Sequence, residues 1–300
     1  MNRLPRLLSL LLSSFLLLTA AAGAEDRLAA LEATAAAMGR LQPGLENFRA
    51  TVVTDRIASG IRTMTASMPP DMPRPEAPTV VKYWRRGVPG GIILAEGPQT
   101  SPYVQKIVEH FAAGLATDSE DLLLPPGRAA QRRQLAAGAE VKSTETTVAD
   151  SLLQRIDIAF PEPTDVGTAF YGNGLRLPRT GVSRLAFDID ARTRTVREVT
   201  VHAAGGLQLT AEVRYREAGG SFMPERVRVT SPDGRIDDLL EITFTEVSGY
   251  LVPATILQVV QRPDLQDRLE VSFRDYRINQ PLPPAVEARL SAPAATKPQP

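Results

Sequence analysis

Most of this chain alternates between apolar and polar residues with period two, and only short stretches follow the period of a helix. Between Glu25 and Leu41, Leu28, Leu31, Ala35 and Met38 fall on one face, and Pro43-Gly44 ends the run, which predicts a first helix. After Ser101, with Pro102 at the first helical position, Val104, Ile107, Val108, Phe111 and Leu115 form a continuous apolar stripe, which predicts a second. A third, rich in arginine and glutamine, is expected over residues 127–136. Strands are expected at Phe48/Ala50/Val52, Val81–Tyr83 and Ile156/Ile158/Phe160, the last ended by Pro161 and Pro163. Residues 161–182 read as a long glycine-rich connection and a possible subdomain break. Beyond it strand follows strand: Leu185/Phe187/Ile189, Leu207–Tyr215, Val227/Val229, Leu240/Ile242/Phe244 and Leu269/Val271/Phe273.

The last of these strands repeat. Asp238-Leu239-Leu240-Glu241-Ile242-Thr243-Phe244 matches Asp267-Arg268-Leu269-Glu270-Val271-Ser272-Phe273 at an offset of 29 residues, and Pro224 and Pro253 precede them at the same offset. Each unit reads as a hairpin, and Ser231-Pro232-Asp233-Gly234 supplies a turn in which proline presets φ and glycine allows φ > 0. Alternation places Val227, Val229, Leu240, Ile242, Phe244 and Phe273 on one face. Arg226, Arg228, Glu241 and Glu270 fall on the other. The pattern predicts an α+β fold, mainly β: a curved antiparallel sheet covering two or three helices. Ile256, Leu257, Val259 and Val260 are apolar on both faces, so that strand is expected to be covered on both sides.

Composition narrows the setting. Arg3 and Arg6, the apolar run Leu7–Leu18 and Ala22-Gly23-Ala24 have the order of a cleavable signal peptide over residues 1–24, and the run is shorter than the ~20 residues a membrane span needs. The expectation is an exported, periplasmic protein that does not span a membrane once cleaved. Cleavage would remove Arg3 and Arg6 and leave 32 basic against 34 acidic residues, so nothing points to nucleic acid. The chain has no cysteine, which excludes disulfides, thiolate metal sites and thiol nucleophiles. Residues 25–280 are expected to form one domain and 281–300, rich in proline and alanine, a disordered tail.

Candidate chemistry is sparse. The chain lacks a Gly-x-Ser-x-Gly elbow, a His-Glu-x-x-His pair and a phosphate-binding glycine loop. His110 and His202 are the only histidines, too few for a three-ligand site. Asp188 and Asp190 read as flanking a hairpin turn at 191–193 rather than as a calcium site. Met64, Met68 and Met72 recur at four-residue spacing and could offer soft thioethers to Cu(I). The five prolines between Pro69 and Pro78 argue instead for an irregular, adaptable flap.

Three features together resemble the periplasmic lipoprotein-carrier (LolA-like) superfamily, which includes related envelope-stress regulators. A helix leads into Leu45-Glu46-Asn47-Phe48-Arg49-Ala50; proline-opened strands recur at Met223-Pro224-Glu225-Arg226-Val227 and Val252-Pro253-Ala254-Thr255-Ile256; and a last strand ends Phe273-Arg274-Asp275-Tyr276-Arg277-Ile278-Asn279 before a proline-rich exit. The likeness is greatest over 183–280. It implies an incomplete β-barrel whose helices plug an apolar cavity for acyl chains. It also implies an arginine near that cavity, for which Arg49 is the available position.

The resulting expectation is a non-catalytic periplasmic protein that binds a lipid, a lipoprotein acyl chain or an apolar peptide in a sheet–helix concavity, without a cofactor. Val104, Ile107, Val108, Phe111, Leu115 and Arg49 are the candidate binding residues. The alternative is an envelope interaction or sensor protein with a filled core, whose partner is another envelope protein.

Overall fold

The computed structural model describes residues 28–38, 42–66, 69, 78–88, 90–97, 105, 108, 119–148 and 151–291. In chain order its elements are α1 (28–38), β1 (Asn47–Val53), α2 (Asp55–Thr65), β2 (Thr79–Arg85), β3 (Ile92–Glu96), α3 (Ala129–Ala137), β4 (Glu140–Val148) and β5 (Ser151–Thr164). They continue with β6 (Val182–Asp190), β7 (Thr195–Ala203), β8 (Gln208–Ala218), β9 (Ser221–Thr230), β10 (Asp237–Val247), β11 (Tyr250–Arg262), β12 (Leu265–Ile278) and α4 (Pro284–Ser291). Gln105 and Val108 are also helical. The strands pair in the order β3-β2-β1-β12-β11-β10-β9-β8-β7-β6-β5-β4, and the pairings are antiparallel. The sheet is open, with β3 and β4 as its edges, which agrees with the mainly β, incomplete-barrel expectation.

The chain forms two compact units. The first comprises residues 1–39, 123–171 and 177–213; the second comprises 40–122, 172–176 and 214–300. In the first, α1 buries Leu28, Leu31, Ala35 and Met38, the stripe read from the sequence. Ile156, Ile158, Leu185, Phe187, Val199 and Val201 of β5, β6 and β7 are fully buried, and the Phe170 and Phe187 rings lie 5.9 Å apart. At the 191–193 turn, the Asp190 carboxylate accepts hydrogen bonds from the Arg192 and Thr193 amides at 3.1 and 2.9 Å and from Arg197 at 3.0 Å. Asp188 pairs with Arg155. Asp190 therefore closes the hairpin turn, while Asp188 ties β6 to β5.

In the second unit the repeat behaves as its alternation requires. Ile242, Ile256 and Val271 lie abreast on β10, β11 and β12, with Phe244 and Phe273 buried on the same face. Glu241 and Glu270 flank Leu257 on the opposite face, and Glu241 pairs with Arg226 at 3.5 Å. Gly234 closes the β9–β10 turn with φ 70°, donating its amide to the Ser231 carbonyl. Ile256 and Val260 are buried while Leu257 and Val259 are half-buried, so β11 is covered fully on one face only.

Several elements depart from the sequence reading. β5 continues through Pro161 and Pro163 because its ladder with β6 is broken between Ala159 and Thr164, where no amide donor is needed. β4 is an edge strand that buries only Val141, so it lacks the apolar alternation that reveals a strand. α2 was not predicted; it starts at Thr54, whose side chain accepts from the Arg56 amide, and stops before Pro69. The disordered-tail expectation is corrected for residues 284–291, which form α4. One turn apart, Val286 and Leu290 are buried against Val81 and Tyr83, a two-residue stripe too short to stand out among prolines and alanines.

Candidate functional site

β1 lies between β2 and β12 in the second unit, and its two faces carry different chemistry. On one face Phe48, Ala50 and Val52 lie opposite Trp84, Lys82 and Val80 of β2, and Val52 also faces Phe273 of β12. Phe48 stacks on Trp84 with ring centroids 5.3 Å apart and meets Tyr276 edge-on at 5.4 Å. Tyr276 reaches this face because β12 carries an extra residue between Arg274 and Arg277, where Asp275 takes φ 55°. Its hydroxyl donates to the Pro253 carbonyl, and burial pushes its pKa up, so it stays a donor. Lys82 is buried on this apolar face with Nζ 5.8 Å from the centre of the Phe273 ring, a cation–π contact.

This face is largely sealed, for Phe48, Val52, Val80, Trp84 and Phe273 are all under a tenth exposed. It opens at the ends of the strands. There Val52, Val53, Ile57, Ala58 and Val80, with neighbouring threonines, Arg274 and Asp275, line a groove of about 380 Å³ beside α2. Val53, at 39% exposed, stands at its mouth. That volume lies at the lower end of the roughly 300–1,000 Å³ of small-molecule sites.

The opposite face of β1 is polar. Arg49 lies between Tyr83 of β2 and Arg277 of β12. Its Nη2 donates to Glu96 at 2.7 Å, and the Tyr83 hydroxyl donates to the other oxygen of that carboxylate. Burial opposes ionisation of Glu96, but these hydrogen bonds and the Arg49 and Arg277 charges outweigh it and hold its pKa below the ordinary value. Burial and the bond to Glu96 raise the pKa of Tyr83. With Asn47 and the segment Gln280–Pro283, these side chains enclose a second cleft of about 380 Å³. Asn279 fixes its rim. Its side chain accepts from the Glu46 and Asn47 amides and donates to the Gly44 carbonyl, turning the chain across the start of β1 towards α4.

Arg49, the arginine singled out by sequence, thus lies on the polar face. Of the candidate apolar stripe, Val108 is fully buried, whereas Val104, Ile107, Phe111 and Leu115 fall outside the described residues. So do Met68, Met72 and His110; Met64 belongs to the α2 backbone. Tyr83, Glu96 and Arg277, which complete the polar cleft, were not singled out. The alternation of β1 places Arg49 off the Phe48/Ala50/Val52 face, but nothing local links it to Tyr83, Glu96 or Arg277.

No family model matches the chain, and no curated protein does. Solved structures do resemble it. One is a domain from Vibrio parahaemolyticus described as an outer membrane lipoprotein-sorting protein, at 9% identity and TM-score 0.35, covering 89% of this chain and 99% of that one. A DUF1329 family protein from Desulfovibrio piger has 9% identity and TM-score 0.31, covering 85% and 94%; a LolA superfamily protein from Nitrosomonas europaea has 9% identity and TM-score 0.26, covering 85% and 95%. Among the described residues, no helix is long and apolar enough to cross a membrane.

Proposed function

We propose that this is a non-catalytic, exported binding protein whose second unit takes one apolar chain in the groove beside α2. That chain would be the acyl group of a lipid or lipoprotein, or an apolar peptide. The observation that carries the reading is the groove itself: Val52, Val53, Ile57, Ala58 and Val80 line about 380 Å³ of open space next to a face that is otherwise closed. Burying apolar surface there would contribute about 25 cal/mol per Å², so a chain filling it needs no polar anchor to be held. In this reading Val104, Ile107, Val108, Phe111 and Leu115 supply a wall or lid, as their stripe suggests, and the periplasm is the setting.

A second reading is favoured by the sealed face. With Phe48, Trp84 and Phe273 already covered, the unit could act with a filled core as an envelope interaction or sensor protein, with another envelope protein as its partner. Binding of the fluorescent fatty acid cis-parinaric acid separates the two, alongside mass spectrometry of lipids extracted from protein purified from its native compartment. Val53→Asp, at an exposed position, and Ala58→Trp, which fills the groove, should abolish probe binding and leave the melting temperature nearly unchanged. Native protein free of lipid, together with variants that bind the probe as well as the parent, would refute groove binding in favour of the filled core.

A further inference from the structure

The polar cleft on the other face of β1 has the composition of an anion site. Arg49 and Arg277 stand directly opposite each other on paired strands, an arrangement that like charges disfavour. Glu96 offsets one of the two charges. The exposed Arg277 side chain makes no hydrogen bond or ion pair within 4.0 Å among the described residues, so the cleft keeps a surplus of one positive charge. Asn47 lines the same cleft beside the two arginines.

We infer that this cleft binds a small ligand carrying a monoanionic oxyanion, a carboxylate or a phosphodiester. A single negative charge neutralises the cleft. The oxyanion faces Arg277 and Arg49. Glu96 and Tyr83 act as positioning residues. The carboxylate fixes the Arg49 guanidinium, and the Tyr83 hydroxyl fixes the carboxylate. Gln280–Pro283, anchored by Asn279 and by Leu282 in the α4 cluster, forms the far wall. The site shares no lining residue with the groove beside α2, so it stands whether or not that groove takes an acyl chain.

Isothermal titration of the full chain with three soluble probes tests the inference. Glycerate offers a carboxylate, glycerophosphoglycerol carries the phosphodiester of a lipid headgroup, and glycerol is uncharged. Glycerate or glycerophosphoglycerol should bind and glycerol not at all. The better of the first two identifies the source of the anion. Arg277→Gln should weaken binding roughly 10-fold or more, the worth of a charge-assisted hydrogen bond, at an unchanged melting temperature, and Arg277→Lys should recover part of it. Glu96→Gln should tighten anion binding by freeing the Arg49 charge, which a purely structural role for Glu96 would not do. Failure of both anions to bind, binding indifferent to Arg277→Gln, or glycerol binding as well as glycerate would overturn the inference, and cis-parinaric acid binding retained in the same protein would leave the groove unaffected.

Discussion

Arg132 is the most consequential side chain of the first unit, and removing it tests how that unit is held together. It lies on α3 and is among the largest side chains with no exposed surface in the described residues. Its Nε and Nη2 meet the two oxygens of Glu32 on α1 at 2.9 and 2.8 Å, while Nη1 donates to the Pro125 and Ala169 carbonyls at 2.7 and 2.9 Å. One guanidinium thus joins two helices and the loop after β5. Summing four charge-assisted bonds would overstate the effect, because burying the guanidinium itself costs several kcal/mol. What a substitution exposes is the loss of a partner. Arg132→Met leaves the Glu32 carboxylate, 22% exposed, without its cation, and leaves two carbonyls without donors. Breaking a buried pair in this way costs about 3–5 kcal/mol. Because Glu32 keeps some access to water, a value near the lower end is expected. Urea denaturation followed by far-ultraviolet circular dichroism, with amide exchange over α1 and α3 to localise the loss, measures it. Arg132→Lys should recover little, since an ammonium cannot satisfy the fork and both carbonyls at once. The double variant Arg132→Met/Glu32→Leu should recover part of the loss. A cost below about 1 kcal/mol for Arg132→Met, or no recovery in the double variant, would show that the buried Arg132–Glu32 pair does not hold the unit together.

Two further outcomes follow from the geometry. The folded-state pKa of Asp190 is depressed because, although burial opposes ionisation, the Thr193 and Arg197 hydrogen bonds outweigh it; its contribution to stability is therefore full above the unfolded-state value near 3.8 and lost as pH falls through the lower folded value. Acid denaturation of Asp190→Asn should show a shallower loss of stability below about pH 4 than the parent, and an identical acid limb would count against the assignment. Leu290→Asp should detach α4 from Val81 and Tyr83 at a cost of about 2–5 kcal/mol and raise protease sensitivity after Gln280; unchanged proteolysis would show that the helix is not held by that contact.

The alternation along β1, β10 and the Leu269–Phe273 stretch of β12 is enough to assign their buried faces, because in an extended chain side-chain direction depends only on position parity. The offset of 29 residues likewise carried the hairpin repeat, since Ser231-Pro232-Asp233-Gly234 is a local turn whose geometry its own residues dictate. The α1 stripe was legible for the same reason. Edge strand β4, with only Val141 buried, and α4, with two buried residues, left almost no such trace. Tertiary structure alone decided the chemistry. Arg49 meets Glu96 across 47 residues and Arg132 meets Glu32 across 100, partnerships created by strand pairing and helix packing and absent from any local pattern. An extra residue in β12 brings Tyr276 onto the aromatic face and returns Arg277 to the polar one, reversing what simple parity would assign after Asp275. Periodicity fixes which side of a strand a residue occupies; which charges share that side depends on the register between strands distant in sequence, and that is a property of the folded sheet.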